Sequence, residues 1–197
     1  MTVRIIVPHR GLAAAKTRLA PVLDDAEREA LALRLLQRVL RVAREACADI
    51  VVISPSAALG PVAAAAEARL IVQRGMGLNA GLEQARADAL TDGITTLAVL
   101  HGDLPNLEAD DVRALISAAT PAGVAIAPDR LGSGTNGLAL TPPDAIGFRF
   151  GVGSHAAHLS AAAERGVKVE EVDRPGLAFD LDTPADLARW LELGSAA

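Results

Sequence analysis

The sequence predicts an α/β domain built on a mainly parallel β-sheet, and three observations lead there. Apolar runs rich in branched residues alternate with stretches of helical periodicity along the whole chain. The 197 residues, 51% of them hydrophobic, are enough to bury a sizeable core. No repeat, linker or low-complexity tract breaks the alternation, so residues 1–197 read as one domain.

VRIIVP (3–8) reads as a fully buried strand. A polar segment with Gly11, Lys16, Arg18 and Pro21 follows it. Asp24 and Glu27 have capping-box spacing, and Leu31, Leu35, Val39, Val42 and Ala46 then repeat at helical intervals. DIVVIS (49–54) is a second strand, PVAAAAEA (61–68) a short helix and LIV (70–72) a third strand. After GMGLN comes a helix with Leu82, Ala85, Arg86 and Ala89 on one face. TTLAVL (95–100) is the fourth strand; Asn106 is placed to cap the next helix, which carries Val112, Leu115, Ile116 and Ala119. GVAIAP (123–128), GLALT (137–141) and VKVEEV (167–172) are strands, and SHAAHLSAAAER (154–165) is a helix. Thr183, Pro184 and Asp186 open the last helix as N-cap, first-turn proline and capping-box acid.

Composition excludes several functions. The net charge is −5, aromatics are 2%, and no Lys/Arg stripe is present, so neither phosphate tracking nor base stacking points to nucleic acid. No apolar run approaches the ~18 residues of a membrane span. The chain enters a strand at once without a leader, and the single cysteine, Cys47, fits a reducing cytoplasm.

In sheets of this kind, ligands sit beyond the carboxyl ends of the strands. Asp103 in HGDLP (101–105) falls at that edge, directly after the fourth strand. Asp180 and Asp182 in FDLDTP form a D-x-D pair that points to one face when extended. Two such charges ~4 Å apart, at an effective dielectric of ~20, repel by about 4 kcal/mol, so converging acids need a cation. Carboxylates completed by substrate phosphates suit Mg²⁺. The same acids would equally serve as turn and helix-start residues. The first loop carries His9, Arg10, Lys16 and Arg18 just after strand one, a setting for an anionic phosphate chain or for a solvated basic loop.

Two glycine runs need sorting. Gly132 to Gly137 spells G-x-G-x-x-G, but a strand rather than a helix follows, which rules out a dinucleotide fingerprint. GVGSHA (151–156) does open a helix; Gly151, Gly153 and the amide and hydroxyl of Ser154 would form an anion seat there, with Thr135 and Asn136 as neutral partners, and ordinary glycine turns are the alternative for both runs. His101, His155 and His158 lack the convergent partners of a zinc site and read as structural or as supports for residues that touch the ligand.

Taken in order, these motifs resemble a known family. V-P-x-x-x-L-x-x-A-K-T-R-L-A-P, G-L-N-A, G-D-L-P, A-P-D-R-x-G-x-G-T-N, F-x-F-G-x-G-S and P-G-L-A-x-D-x-D-T-P-x-D-L are similar to the CofC/FbiD guanylyltransferases of deazaflavin (F-420 type) coenzyme biosynthesis, from residue 3 to 187. The resemblance implies a nucleotidyltransferase fold of the GT-A and MobA-like type. It implies transfer of GMP from GTP to phosphoenolpyruvate, 3-phospho-D-glycerate or 2-phospho-L-lactate, with loss of pyrophosphate. It assigns Asp103, Asp180 and Asp182 to Mg²⁺, with Mn²⁺ as an alternative, and Thr135, Gly151 and Ser154 to the acceptor. Lys16 and Arg18 fall in the GTP phosphate site and, with Asp103, carry catalysis; Pro8, Arg10, Gly77, Asn79 and Gly102 join them around GTP. Relatives also suggest a homodimer. The chain departs from the pattern at His9-Arg10, where relatives often carry lysine, and at His101, where small residues are common. The rivals are another GT-A-type nucleotidyl- or glycosyltransferase, whose glycine-rich L-x-G-G loop is absent, and a catalytically silent nucleotide-binding module.

Overall fold

The computed structural model describes residues 1–13 and 15–195. Strand β1 (Val3–Pro8) leads to α1 (Asp25–Ala46), β2 (Ile50–Ser54), α2 (Gly60–Ala65), β3 (Arg69–Val72), α3 (Leu78–Thr91) and β4 (Thr96–Leu100). The second half runs α4 (Ala109–Ala122), β5 (Gly123–Pro128), β6 (Thr135–Leu140), α5 (Ser154–Glu164), β7 (Lys168–Glu171), α6 (Pro175–Ala178) and α7 (Pro184–Ser195). Every strand expected from the apolar runs is present.

The strands form one seven-stranded sheet in the order β3-β2-β1-β4-β6-β5-β7. Strand β6 runs antiparallel to both β4 and β5, and the remaining pairs are parallel. That reversal brings the start of β6 to the carboxyl edge of β4: Leu100 pairs with Gly137, and the His101 N–H donates to the Asn136 carbonyl at 3.1 Å.

Both faces of the sheet are covered, so its strands are apolar on both sides. Ile5, Val7, Ala98, Ala125, Ala127 and Ala139 join α1 and α4 in one core cluster. Ile6, Leu97, Val99, Ile126, Leu138 and Leu140 join α3 and α5 in the other. The alternation follows the period of two along each strand. Alanines dominate the α4 side because the helix sits close; a Cβ on Gly137 would lie 2.9 Å from Leu115 Cδ2.

The capping box of α1 forms as expected, with Asp24 and Glu27 bonding each other's backbone N–H at 2.8 and 2.9 Å. Helix α7 begins likewise: the Thr183 N–H donates to Asp186 Oδ2 at 2.8 Å, and the Asp186 N–H donates to Thr183 Oγ1 at 3.3 Å. One expectation is corrected. Asn106 does not cap α4; Glu108 does, in a capping box with Asp111. Asp111 is buried and accepts from Arg174 at 2.9 Å, so the helix start is set by a tertiary partner 63 residues away.

Candidate active site

The first loop is shaped to deliver one lysine. The His9 N–H continues the sheet by donating to the Ile53 carbonyl at 3.0 Å, and Gly11 then turns at φ 102 with Ser56 3.2 Å from where a Cβ would stand. Lys16 itself adopts φ 55 and ψ 35, a left-handed conformation that costs a non-glycine residue about 1–2 kcal/mol. A short 3₁₀ turn, Thr17–Leu19, follows it, and Leu19 is fully buried against Leu31, Leu35 and Leu181. Burial of Leu19 offsets the strain and holds the loop down.

At the end of β4 the Asp103 carboxylate accepts from Lys16 Nζ at 2.7 Å. Asp182 accepts from the same ammonium at 2.9 Å. The D-x-D segment is tied to the strand tip by the Leu181 N–H, which donates to the Asp103 carbonyl at 3.1 Å, while the Leu181 side chain points into the core. Asp180 accepts from Asn136 Nδ2 at 3.3 Å. Thus the loop after β1, the tip of β4 and the segment after α6 meet at Lys16, and β6 reaches Asp180 through Asn136.

Charge and burial oppose each other here. Burial alone would lower the Lys16 pKa, but Asp103 and Asp182 outweigh it and hold the ammonium above the ordinary lysine value. Burial would raise the Asp103 pKa, yet Lys16, His101 and His9 bring it below the usual range. Asp180 is pushed up by burial and then by the Asp103 charge, with the Asn136 hydrogen bond opposing. Among the described residues no three or more His, Cys, Asp or Glu side chains form a ready metal cage, and the Lys16 ammonium stands between two of the acids. However, Asp103 Oδ1 is buried without a hydrogen-bond partner, and its free lone pairs suit a cation. Mg²⁺ takes only one or two protein carboxylates when substrate phosphates complete its shell, so the donor set suits it.

A cleft of about 800 Å³ opens beside this cluster. Pro8, Arg10, Lys16, Arg18, Gly77 and Gly102 all line it. Arg18 is largely exposed and lies 3.5 Å from Asp182; Arg10 is also exposed. Gly77 has φ 86 and open space where a Cβ would stand. Asn79 is placed differently. Both ends of its amide bond the Phe150 backbone, donating to its carbonyl at 3.0 Å and accepting from its N–H at 2.9 Å, so it braces the 148–150 segment rather than facing the cleft.

Thr135, Gly151 and Ser154 are not among the residues that line the cleft. Thr135 and Ser154 are 1% and 3% exposed. The Ser154 N–H, expected to be free for an anion, donates to the Gly151 carbonyl at 3.2 Å and closes a turn. Phe150 connects this group to the acids, with its ring 5.5 Å from His101 and 4.8 Å from His158. His158 is fully buried and bonds both Thr135 and the Arg149 N–H. These bonds agree with its reading as a structural or supporting residue, although nothing local in SHAAH signals the partners. Gly176 of the P-G-L-A motif has a structural reason of its own: a Cβ there would meet Asp111 Oδ2 at 2.0 Å and the Asn106 carbonyl at 2.8 Å.

The sheet is mostly parallel and carries acids, a lysine and a cleft at its carboxyl edge, and solved structures share its fold. A nucleotide-diphospho-sugar transferase from Desulfovibrio desulfuricans, so described provisionally, superposes with a TM-score of 0.83 at 20% identity, covering 98% of this chain and 88% of the other. CMP:2-keto-3-deoxy-manno-octonic acid synthetase superposes at 0.63 and 15% identity over 100% of this chain and 99% of the other. The chain belongs to the family described as guanylyl transferase CofC like, whose model matches residues 3–196. Phosphoenolpyruvate guanylyltransferase of Rubrobacter xylanophilus is 46% identical over 96% of this chain and 93% of its own length. That of Sphaerobacter thermophilus is 45% identical over 95% and 91%. A 3-phospho-D-glycerate guanylyltransferase of Colwellia psychrerythraea is 29% identical over 95% and 90%. Among the described residues no helix is long and apolar enough to cross a membrane.

Proposed function

We propose that the protein transfers GMP from GTP to phosphoenolpyruvate, with release of pyrophosphate, in deazaflavin coenzyme F-420 biosynthesis. The observation that carries the reading is the Lys16 ammonium held between Asp103 and Asp182 at the cleft mouth. A phosphate oxygen of the acceptor attacks the α-phosphorus of GTP. The bond from that phosphorus to the oxygen bridging the β-phosphate breaks, and pyrophosphate leaves with the electron pair. The attacking oxygen is already ionised at pH 7, so no general base is needed. Positioning and charge neutralisation therefore carry the catalysis.

Lys16 supplies fixed positive charge to the triphosphate, and Arg10 and Arg18, which line the same cleft, add mobile charge. Asp103, Asp180 and Asp182 would hold Mg²⁺ or Mn²⁺, which when bound neutralises phosphate charge on both reactants. Gly77 leaves room for the nucleoside, and Asn79 acts through Phe150. Thr135, Gly151 and Ser154 orient the acceptor. With this reading go a cytoplasmic location and a homodimer.

Phosphoenolpyruvate is favoured over 3-phospho-D-glycerate because the more similar relatives carry that name. The test is pyrophosphate release from GTP with phosphoenolpyruvate, 3-phospho-D-glycerate and 2-phospho-L-lactate, with mass spectrometry of the product. A guanosine-diphospho-acid formed fastest from phosphoenolpyruvate is expected. Pyrophosphate release independent of any acid, or none at all, would overturn the assignment.

A further inference from the structure

We propose that His158 is a positioning residue for the phosphoacid acceptor: it fixes the direction of the Thr135 hydroxyl and locks that residue to the segment ahead of Gly151. The inference rests on the proposed function for the acceptor and for its contact with Thr135, and on geometry for the part His158 plays.

The Arg149 backbone N–H points at His158 Nε2 from 3.0 Å. A backbone N–H only donates, so Nε2 must accept and carries no proton. In the neutral ring the proton is therefore on Nδ1, which faces Thr135 Oγ1 at 3.1 Å. Burial keeps the ring neutral, lowering its pKa to about 4. The Thr135 hydroxyl consequently accepts from His158, and its own proton is left to donate elsewhere. An acid carrying phosphate and carboxylate oxygens is the complementary partner, since it offers acceptors only.

The imidazole also binds three parts of the seat together. It projects from α5, one turn after Ser154. It reaches β6 through Thr135 and the 148–150 segment through Arg149. Phe150 meets it edge-on, with planes at 74°. Thr135 is buried, and His158 Nδ1 is the side-chain group that its hydroxyl bonds. Phenylalanine at this position would keep the packing and lose both hydrogen bonds; asparagine retains a donor near the Nδ1 position.

The experiment compares wild type, His158→Phe, His158→Asn and Thr135→Val by steady-state kinetics with each substrate varied, and by GTP binding in the absence of acceptor. A rise in acceptor KM of about tenfold or more in His158→Phe is expected, the worth of one oriented hydrogen bond. GTP affinity should stay within about twofold, and His158→Asn should recover part of the loss. Adding Thr135→Val to His158→Phe should cost less than the product of the two single effects. Nitrogen-15 NMR of the wild-type histidines supplies a readout that needs no variant to fold: His158 should be the neutral Nδ1–H tautomer at pH 7. An Nε2–H tautomer would overturn the proposal. So would an unmoved acceptor KM in His158→Phe, or an equal loss of GTP and acceptor binding, which marks a merely structural role. If wild type turns over no phosphoacid, the proposed function fails and this inference falls with it; wild-type turnover with unaltered variants sinks the inference alone.

Discussion

Lys16 Nζ lies 2.7 Å from Asp103 Oδ2, joining two residues 87 positions apart in the chain. Lysine on the loop after β1 meets an acid at the tip of β4 because the two strands are neighbours and parallel. Asp182 completes the arrangement from the C-terminal segment, so one ammonium offsets two carboxylates.

Replacing Lys16 by methionine keeps the stem and removes the charge. Turnover should fall by about 10²–10³-fold, the scale of losing one preorganised charge stabiliser. Circular dichroism should show the fold retained. Near-normal kcat in Lys16→Met would remove the lysine from catalysis.

Asp103→Asn keeps the volume and removes the charge opposite Lys16. We expect turnover to drop by several orders of magnitude, roughly 10³-fold or more, if the carboxylate gathers a cation as well as the lysine. Excess chelator should abolish wild-type activity, and Mg²⁺ or Mn²⁺ should restore it. Full activity in chelator would exclude a metal role for Asp103, Asp180 and Asp182.

Stability should weaken in acid partly through His158. Its folded pKa is depressed to about 4 by burial, against about 6.5 when unfolded. Above pH 6.5 both states are neutral and its contribution is complete. As pH falls from 6.5 to 4 the unfolded state takes up the proton first, so folding loses on the order of 3 kcal/mol across that window. Urea midpoints at pH 7 and pH 4.5 should differ less in His158→Asn than in wild type; equal slopes would refute the assignment.

At the opposite edge of the sheet, buried Arg4 bonds Asp49 at 2.9 Å and both Asp88 and Asp92 at 2.8 Å. Removing it takes the cation from Asp49, while Arg69 still bonds Asp88 at 2.9 Å and lies 3.6 Å from Asp92. Arg4→Met should destabilise by about 2–3 kcal/mol, below the full cost of breaking a buried pair because the acids are half exposed. Chemical denaturation measures this directly, and activity per folded molecule should not change.

The alternation of elements was legible because period two and period 3.6 are local properties, and each strand and each major helix leaves its mark within a few residues. VRIIVP and TTLAVL needed no partner to be read. Asp103 was legible as a candidate for a related reason: a charged residue directly after a buried strand must face the carboxyl edge, whereas Lys16, Asp180 and Asp182 were legible only through their motifs. Asn106 misled because the helix start depends on Asp111 and Arg174, a contact no window contains.

By itself the sequence determined the element order, the apolar faces and the motifs that name the family. Only the tertiary structure decided that β6 runs backward and so carries Thr135 and Asn136 to the edge where β4 delivers Asp103. It alone decided that Asn79 braces Phe150 and that His158 grips Thr135 and Arg149. The physical reason is one of range: periodicity is set by a residue's neighbours in the chain, whereas a hydrogen bond between distant side chains exists only once the whole sheet has fixed their separation.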